Sequence, residues 1–158
     1  MRPARILFVC TGNTCRSPMA EAVARCEAER RGLAGVEFRS AGVHAVPGMP
    51  ASPAAVRAGG RHGLDLSGHR SADLASAGVG EGDLVLVMTR GHARVVRERH
   101  PEAAVRLVTA ALGEGDPRRG ADVPDPFGGA DEEYEAAWGV LHDCVAAVLA
   151  DLAAGGDE

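Results

Sequence analysis

Ile6-Leu7-Phe8-Val9-Cys10-Thr11-Gly12-Asn13-Thr14-Cys15-Arg16-Ser17-Pro18 is the stretch on which the reading of this chain turns. Four apolar residues, Ile6–Val9, run into a cysteine. A short continuous apolar run of this kind is expected of a parallel strand buried on both faces. Gly12-Asn13 supplies a bend. Ser17-Pro18 then opens an Ala-rich segment, with Ser17 read as the N-cap and Pro18 as the first helical residue. The pattern is strand, tight loop and helix N-terminus, with a thiol and a guanidinium at the two ends of the loop. Backbone N–H groups at such a terminus face an anion, and the helix dipole favours negative charge there. The planar fork of Arg16 suits two oxygens of a phosphate. The same surroundings favour the thiolate form of Cys10, which is the nucleophilic form.

A nucleotide-binding Walker loop would end in Gly-Lys-Ser/Thr, and this chain has no lysine: its 17 basic residues are all arginine. Cysteine, five residues and arginine can also arise by chance, with Cys10 as a small buried hydrophobe. The placement directly after the strand and before Ser-Pro favours the chemical reading.

The 158 residues fit one domain (1–158), with 155–158 expected as a frayed tail. At 46% hydrophobic and 25% charged, the composition is that of an ordinary globular chain. A net charge of −5 argues against a general nucleic-acid binder. Four cysteines at irregular spacing suggest neither a disulfide framework nor a zinc site. The apolar run near the N-terminus is too short for a signal segment or a membrane span. A reducing cytoplasm is the expected compartment, with no nucleic-acid or membrane partner; oligomeric state is not readable.

Further along, Val36–Ser40, Asp83–Met88 and Ala104–Val108 read as strands. Ala54–His62, a turn near Ala72–Ala77, Gly91–Arg99 and Asp131–Leu152 read as helical. In the last helix Tyr134, Trp138, Leu141, Val145, Val148 and Leu152 recur at helical spacing and predict a buried face. Alternating strands and helices imply an α/β domain with a parallel sheet. Ligands on such sheets lie beyond the carboxyl ends of the strands, which is where Cys10 falls. The loop from Gly113 to Gly129 is long enough to suggest a functional role. Within it Asp125 stands between Pro124 and Pro126, which stiffen its backbone. A rigidly placed carboxyl suits general acid and then general base catalysis. Taken alone, Asp-Pro is equally a common turn pair.

The order and spacing of these landmarks resemble the low-molecular-weight protein tyrosine phosphatases over nearly the whole chain. The matching residues are Phe8-Val9-Cys10, Gly12-Asn13, Cys15 through Glu21, Ser40-Ala41-Gly42, His69, Asp83–Met88 and Asp125-Pro126-Phe127-Gly128-Gly129. The resemblance implies a three-layer fold, a four-stranded parallel sheet with helices on both faces. It implies Cys10 as nucleophile, Arg16 as phosphate clamp and Asp125 as general acid/base, with phosphorylated proteins as substrates and no metal or cofactor. The N–H groups of Thr11, Gly12, Asn13, Thr14, Cys15 and Arg16 would hold the phosphoryl oxygens. Asn13, Ser17, Ser40 and His69 match positions that brace the loop. Asn13 tolerates the left-handed conformation such a loop demands, and the Ser17 hydroxyl could hydrogen-bond the thiolate.

Departures from the tyrosine pattern point to a branch. A bulky aliphatic residue usually precedes the second cysteine, where this chain has Thr14. Two aromatics often follow Asp-Pro, where it has Phe127 and then Gly128. Loop 43–49 has no Phe, Tyr or Trp to wall a phenol ring. Thr14, Phe127-Gly128-Gly129 and Met88-Thr89 resemble the protein arginine phosphatase branch. Phosphoarginine on proteins is therefore the expected preferred substrate, with phosphotyrosine as the alternative. Arsenate reductases share a similar loop, but their relay cysteines are missing from residues 78–100. Cys15 has two readings, a redox partner that forms a protective disulfide with Cys10 or a small buried filler. Cys26 and Cys144 read as packing residues.

Overall fold

The computed structural model describes residues 2–155. Four strands, β1 (Arg5–Cys10), β2 (Glu37–Gly42), β3 (Asp83–Val87) and β4 (Ala104–Leu107), form one parallel sheet in the order β2-β1-β3-β4. The helices are α1 (Arg16–Arg30), α2 (Pro53–Arg61), α3 (Arg90–Arg99) and α4 (Asp131–Gly155). Short 3-10 turns occupy Leu74–Ala77 and Val108–Ala111.

The strand β1 explains the layers. Its side chains alternate between faces, and Ile6, Leu7, Phe8 and Val9 are all fully buried. Ile6, Phe8 and Cys10 join a core with Met19 and Val23 of α1 and with Tyr134, Leu141 and Val145 of α4. Leu7 and Val9 join a second core with Val85 and Val87 of β3 and with Ala93 and Val96 of α3. The sheet is thus covered on both sides, as a continuous apolar strand requires.

Three boundaries of the strands and main helices differ by more than one residue from the sequence reading. The helix α1 begins at Arg16, and Cys15 takes the cap position without a side-chain bond to the helix N–H groups. Ser17 is not the N-cap, because its hydroxyl is engaged inside the loop. The strand β2 runs on through Ala41 and Gly42, which pair with Val9 and Cys10, two residues past the expected end at Ser40. The helix α4 continues through Gly155; the rest of the expected tail, 156–158, lies outside the described residues. The helix α2 is capped by Ser52, whose Oγ accepts from Ala55 N at 3.3 Å, with Pro53 in its first turn.

By length and composition α4 is apolar enough to cross a membrane. Here its apolar stripe, including Tyr134, Trp138, Leu141, Val145 and Val148, is buried in the domain. Trp138 stacks on His62 with ring centroids 4.8 Å apart, and Arg57 pairs with Asp131 at 2.9 Å, so α2 is fastened to the same helix. Cys144 packs fully buried, and burial pushes its thiol up to about 12, which keeps it unreactive. Cys26 is only half-buried and is less of a core residue than its position on the helix suggested.

Candidate active site

Cys10 ends β1, and residues 11–15 wrap from it into the uncapped start of α1. Asn13 is the one non-glycine residue with positive φ among the described residues, at 57°. That left-handed turn lets the chain double back, and asparagine tolerates it better than most residues. Among the described residues, no backbone N–H from Thr11 to Arg16 donates to a protein acceptor. Orphan donors in a loop of this kind form a concave nest suited to an anion.

The loop is held from behind by a chain of buried hydrogen bonds. Asn13 Nδ2 donates to Ser17 Oγ at 2.8 Å and to Ser40 Oγ at 2.9 Å. Ser40 in turn donates to Glu21 Oε1 at 2.6 Å. Asn13 Oδ1 accepts from Ala72 N at 2.9 Å, so every polar atom of this fully buried amide is satisfied. His69 Nε2 lies 2.7 Å from the carbonyl oxygen of Asn13. A carbonyl only accepts, so the Nε2 of His69 carries the proton. Ser17, Ser40 and His69 are therefore brought together around Asn13.

Ser17 Oγ is 2.9 Å from Cys10 Sγ. It accepts from Asn13, a thiolate can only accept, and the other acceptor in reach, Ala41 O, is farther away at 3.5 Å. The Ser17 proton is thus directed at the Cys10 sulfur whenever that sulfur is ionised.

Arg16 is 3% exposed. Its Nη1 donates to Val123 O at 2.9 Å, and its Nη2 lies 3.4 Å from Asp125 Oδ2. Its Nε is buried with no partner among the described residues. A buried guanidinium N–H left unmatched is costly, and an anion in the nest would satisfy it. Asp125 is positioned by its loop. Val123 N bonds Met88 O at 2.8 Å, Arg90 N bonds Asp122 Oδ1 at 2.9 Å, and Thr109 Oγ1 bonds Ala121 O at 2.7 Å. Asp125 Oδ1 then accepts from Phe127 N at 3.0 Å, a local turn that fixes the carboxylate. The turn reading and the chemical reading of Asp125 therefore coexist.

The rim is sparse in aromatics. Phe127 is 73% exposed, and the other large exposed apolar side chains among the described residues, Val46 and Met49, lie on loop 43–49. That loop borders the nest, since Val43 N bonds Cys10 O and His44 N bonds Thr11 O. Gly42 allows this approach: a Cβ there would sit 2.5 Å from Thr11 O and 2.9 Å from Asn13 N.

Both loop thiols are free. Cys15 Sγ lies 3.4 Å from Ser52 Oγ, 3.4 Å from Tyr134 Oη and 3.7 Å from Thr14 Oγ1. Burial beside Cys15 holds the Tyr134 phenol above its ordinary range. Cys15 is accordingly a polar junction of the loop with α2 and α4, a role that neither sequence reading supplied.

His92 is the other residue the sequence did not announce. Its Nε2 is 2.8 Å from Thr11 Oγ1, and its Nδ1 is buried without a partner among the described residues. Burial, and then the charge of Arg16, depress its imidazole to about 4, so it is neutral near pH 7. A single histidine in a helical pattern carries no signal that could have found it. Glu21 stood in the landmark stretch, but only the fold brings it to Ser40.

Relatives share this arrangement in sequence and shape. The low molecular weight phosphotyrosine protein phosphatase model matches residues 5–156. A protein-arginine-phosphatase of Geobacillus stearothermophilus is 44% identical over 135 residues, 85% of this chain and 86% of that protein. A probable low molecular weight protein-tyrosine-phosphatase, EpsP of Ralstonia solanacearum, is 41% identical over 122 residues, 77% of each. The solved structure of a YwlE arginine phosphatase, a mutant with a phosphorylated active-site serine, superposes with a TM-score of 0.84. It is 36% identical and covers 94% of this chain and 95% of its own. With sequence match, sheet order and nest in agreement, the chain belongs to the low molecular weight phosphotyrosine protein phosphatase family.

Proposed function

We propose that this chain is a protein phosphatase that works through a phosphocysteine on Cys10 and prefers phosphoarginine on proteins. The observation that carries the phosphatase reading is the set of unpartnered donors around one thiol. Six consecutive backbone N–H groups and the buried Nε of Arg16 lack protein acceptors among the described residues. A dianionic phosphoryl group matches that set, and donors fixed in advance of reaction supply most of the stabilisation in such chemistry.

In the first step the Cys10 sulfur attacks phosphorus in line, and the bond from phosphorus to the arginine nitrogen breaks. Asp125 delivers its proton to the departing nitrogen. Arg16 and the N–H groups of residues 11–16 hold the three equatorial oxygens. In the second step Asp125 takes a proton from water, which attacks the phosphocysteine and releases inorganic phosphate. Ser17 donates to the sulfur as nucleophile and again as leaving group. No metal or cofactor enters these steps. The thiolate requires a reducing compartment, the cytoplasm in this reading. With peroxide as the oxidant, Cys10 would become a sulfenic acid from which the Cys15 thiol displaces water, forming the disulfide that guards it, and rescue of peroxide-treated enzyme by a dithiol reads that directly.

The preference rests on Thr14 and the open rim. Thr14 leaves space and a hydroxyl where a bulky aliphatic residue would press on a phenol ring, and only Phe127 offers an aromatic wall. The 44% identical relative named as an arginine phosphatase supports the same reading. The test is kcat/KM for a phosphoarginine peptide against a phosphotyrosine peptide under reducing conditions, with Cys10→Ser as control. The expected ratio favours phosphoarginine, and Thr14→Ile shifts it toward phosphotyrosine. A wild-type ratio favouring phosphotyrosine, or a ratio that Thr14→Ile leaves unchanged, defeats the assignment of preference.

A further inference from the structure

We infer that the arginine-lined groove between α3 and β4 is an exosite for an acidic segment of the phosphoprotein substrate. This rests on the phosphatase reading above and adds how the protein part of the substrate is held.

The groove encloses about 780 Å³ and is lined by Arg90, Arg94 and Arg97 of α3 and Arg106 of β4. Residues 90, 94 and 97 recur at four and three residue steps, so their side chains stand on one helix face. All four arginines are exposed. Elsewhere the arginines are largely neutralised: Arg5 pairs with Asp83, Arg57 with Asp131 and Arg118 with Asp116. Among the described residues, none of the four groove arginines has a carboxylate within 4.0 Å. Glu98, the one acid in the lining, follows Arg94 by four residues and still forms no ion pair with it. Arg90 and Arg97 reach only the carbonyls of Gly120 and Val105, at 3.0 and 3.3 Å, which hold them in place without cancelling their charge. Uncompensated positive charge is therefore concentrated on one face of a chain whose net charge is −5.

The position of the groove selects the occupant. The helix α3 starts at the site: Arg90 N binds Asp122, three residues before Asp125, and His92 binds Thr11 next to Cys10. Ten residues of helix extend about 15 Å from that point. An extended peptide covers such a distance in about five residues. A polypeptide whose phosphorylated residue sits over Cys10 can thus lay acidic side chains within about five positions along the arginine row. Charged rims of this kind raise encounter rates and fix register more than they add affinity.

The experiment compares three substrates on the full chain: p-nitrophenyl phosphate, a phosphoarginine peptide with Glu flanks, and the same peptide with Gln flanks. The wild type is expected to favour Glu flanks in kcat/KM by about tenfold at low salt, and salt is expected to erase the difference. Arg94→Gln/Arg97→Gln/Arg106→Gln is expected to lose the preference while turning over p-nitrophenyl phosphate as before. An anisotropy titration with a fluorescein-labelled, unphosphorylated Glu-rich peptide reads the groove without any turnover, and the triple variant is expected to weaken that binding by about tenfold. Equal kcat/KM for the two flanks in the wild type overturns the exosite. So does binding of a single-stranded oligonucleotide that depends on the arginines while the flank preference is absent. Failure on p-nitrophenyl phosphate overturns the phosphatase reading instead, and the titration still decides whether the groove takes an acidic chain.

Discussion

The hydroxyl oxygen of Ser17 lies 2.9 Å from the sulfur of Cys10 and accepts from Asn13 at 2.8 Å, so its one proton goes to the sulfur in preference to the more distant Ala41 O at 3.5 Å. A hydrogen bond to a charged group contributes about 1.5–3 kcal/mol. Ser17→Ala is therefore expected to lower kcat on a phosphopeptide by roughly 10- to 100-fold. Phosphate affinity should change little, because the backbone donors and Arg16 remain. Steady-state kinetics with phosphate inhibition separates the two. An unchanged kcat would mean that Ser17 only braces Asn13.

Gly42 is required by the approach of two backbones. Its missing side chain would meet Thr11 O at 2.5 Å and Asn13 N at 2.9 Å, and neither is a flexible atom that can give way. Gly42→Ala is expected to displace the loop, with a stability loss of about 1–3 kcal/mol. The rate should fall by about 100-fold, since misplacing a catalytic group by about 1 Å has that effect. Thermal unfolding and kcat on p-nitrophenyl phosphate check the two parts. Full activity would show that the loop has slack.

The strand–loop–helix core of the site was legible because its signals are local. The apolar run Ile6–Val9, the bend at Gly12-Asn13 and the Ala-rich helix each follow from neighbouring residues, and the strand alternation follows from them. The site partners were harder to read because they are far apart in sequence. Arg16 finds Val123, Ser40 finds Glu21, and Cys15 finds Tyr134 only after the sheet has folded. Ser17 shows the cost of a purely local rule. Its type and position fit an N-cap, but a buried thiol and a buried amide compete for its hydroxyl. The helix N-terminus is left uncapped, open to an anion.

His92 gives the domain a pH dependence of its own. Burial first, and Arg16 second, hold its imidazole at about 4, while Asp122 and Asp125 push the other way. Above pH 6.5 both folded and unfolded states are neutral here. Between 6.5 and about 4 the unfolded chain binds a proton that the folded chain refuses, so stability falls as the pH falls. The slope is at most about 1.4 kcal/mol per pH unit. His92→Asn removes this titration. Urea unfolding at pH 7 and pH 5 is expected to show a drop about 2 kcal/mol smaller in the variant. Equal drops would place the acid sensitivity elsewhere.

Asp125 meets Arg16 through Oδ2 at 3.4 Å and is braced through Oδ1 by Phe127 N at 3.0 Å. This leaves the carboxyl half-exposed at the mouth of the nest, where a leaving atom would depart. Its role as an acid depends on what leaves. A phenolate as stable as p-nitrophenolate needs little help from a proton, whereas an alkyl-substituted phenolate needs a great deal. General acid catalysis contributes about 10²- to 10⁴-fold where it is needed. Asp125→Ala is expected to lose activity in that range on poor aryl leaving groups and clearly less on p-nitrophenyl phosphate. A plot of log kcat/KM against leaving-group basicity should therefore become steeper in the variant. A parallel plot, shifted down equally for every substrate, would assign the carboxylate to steadying Arg16 and not to proton transfer.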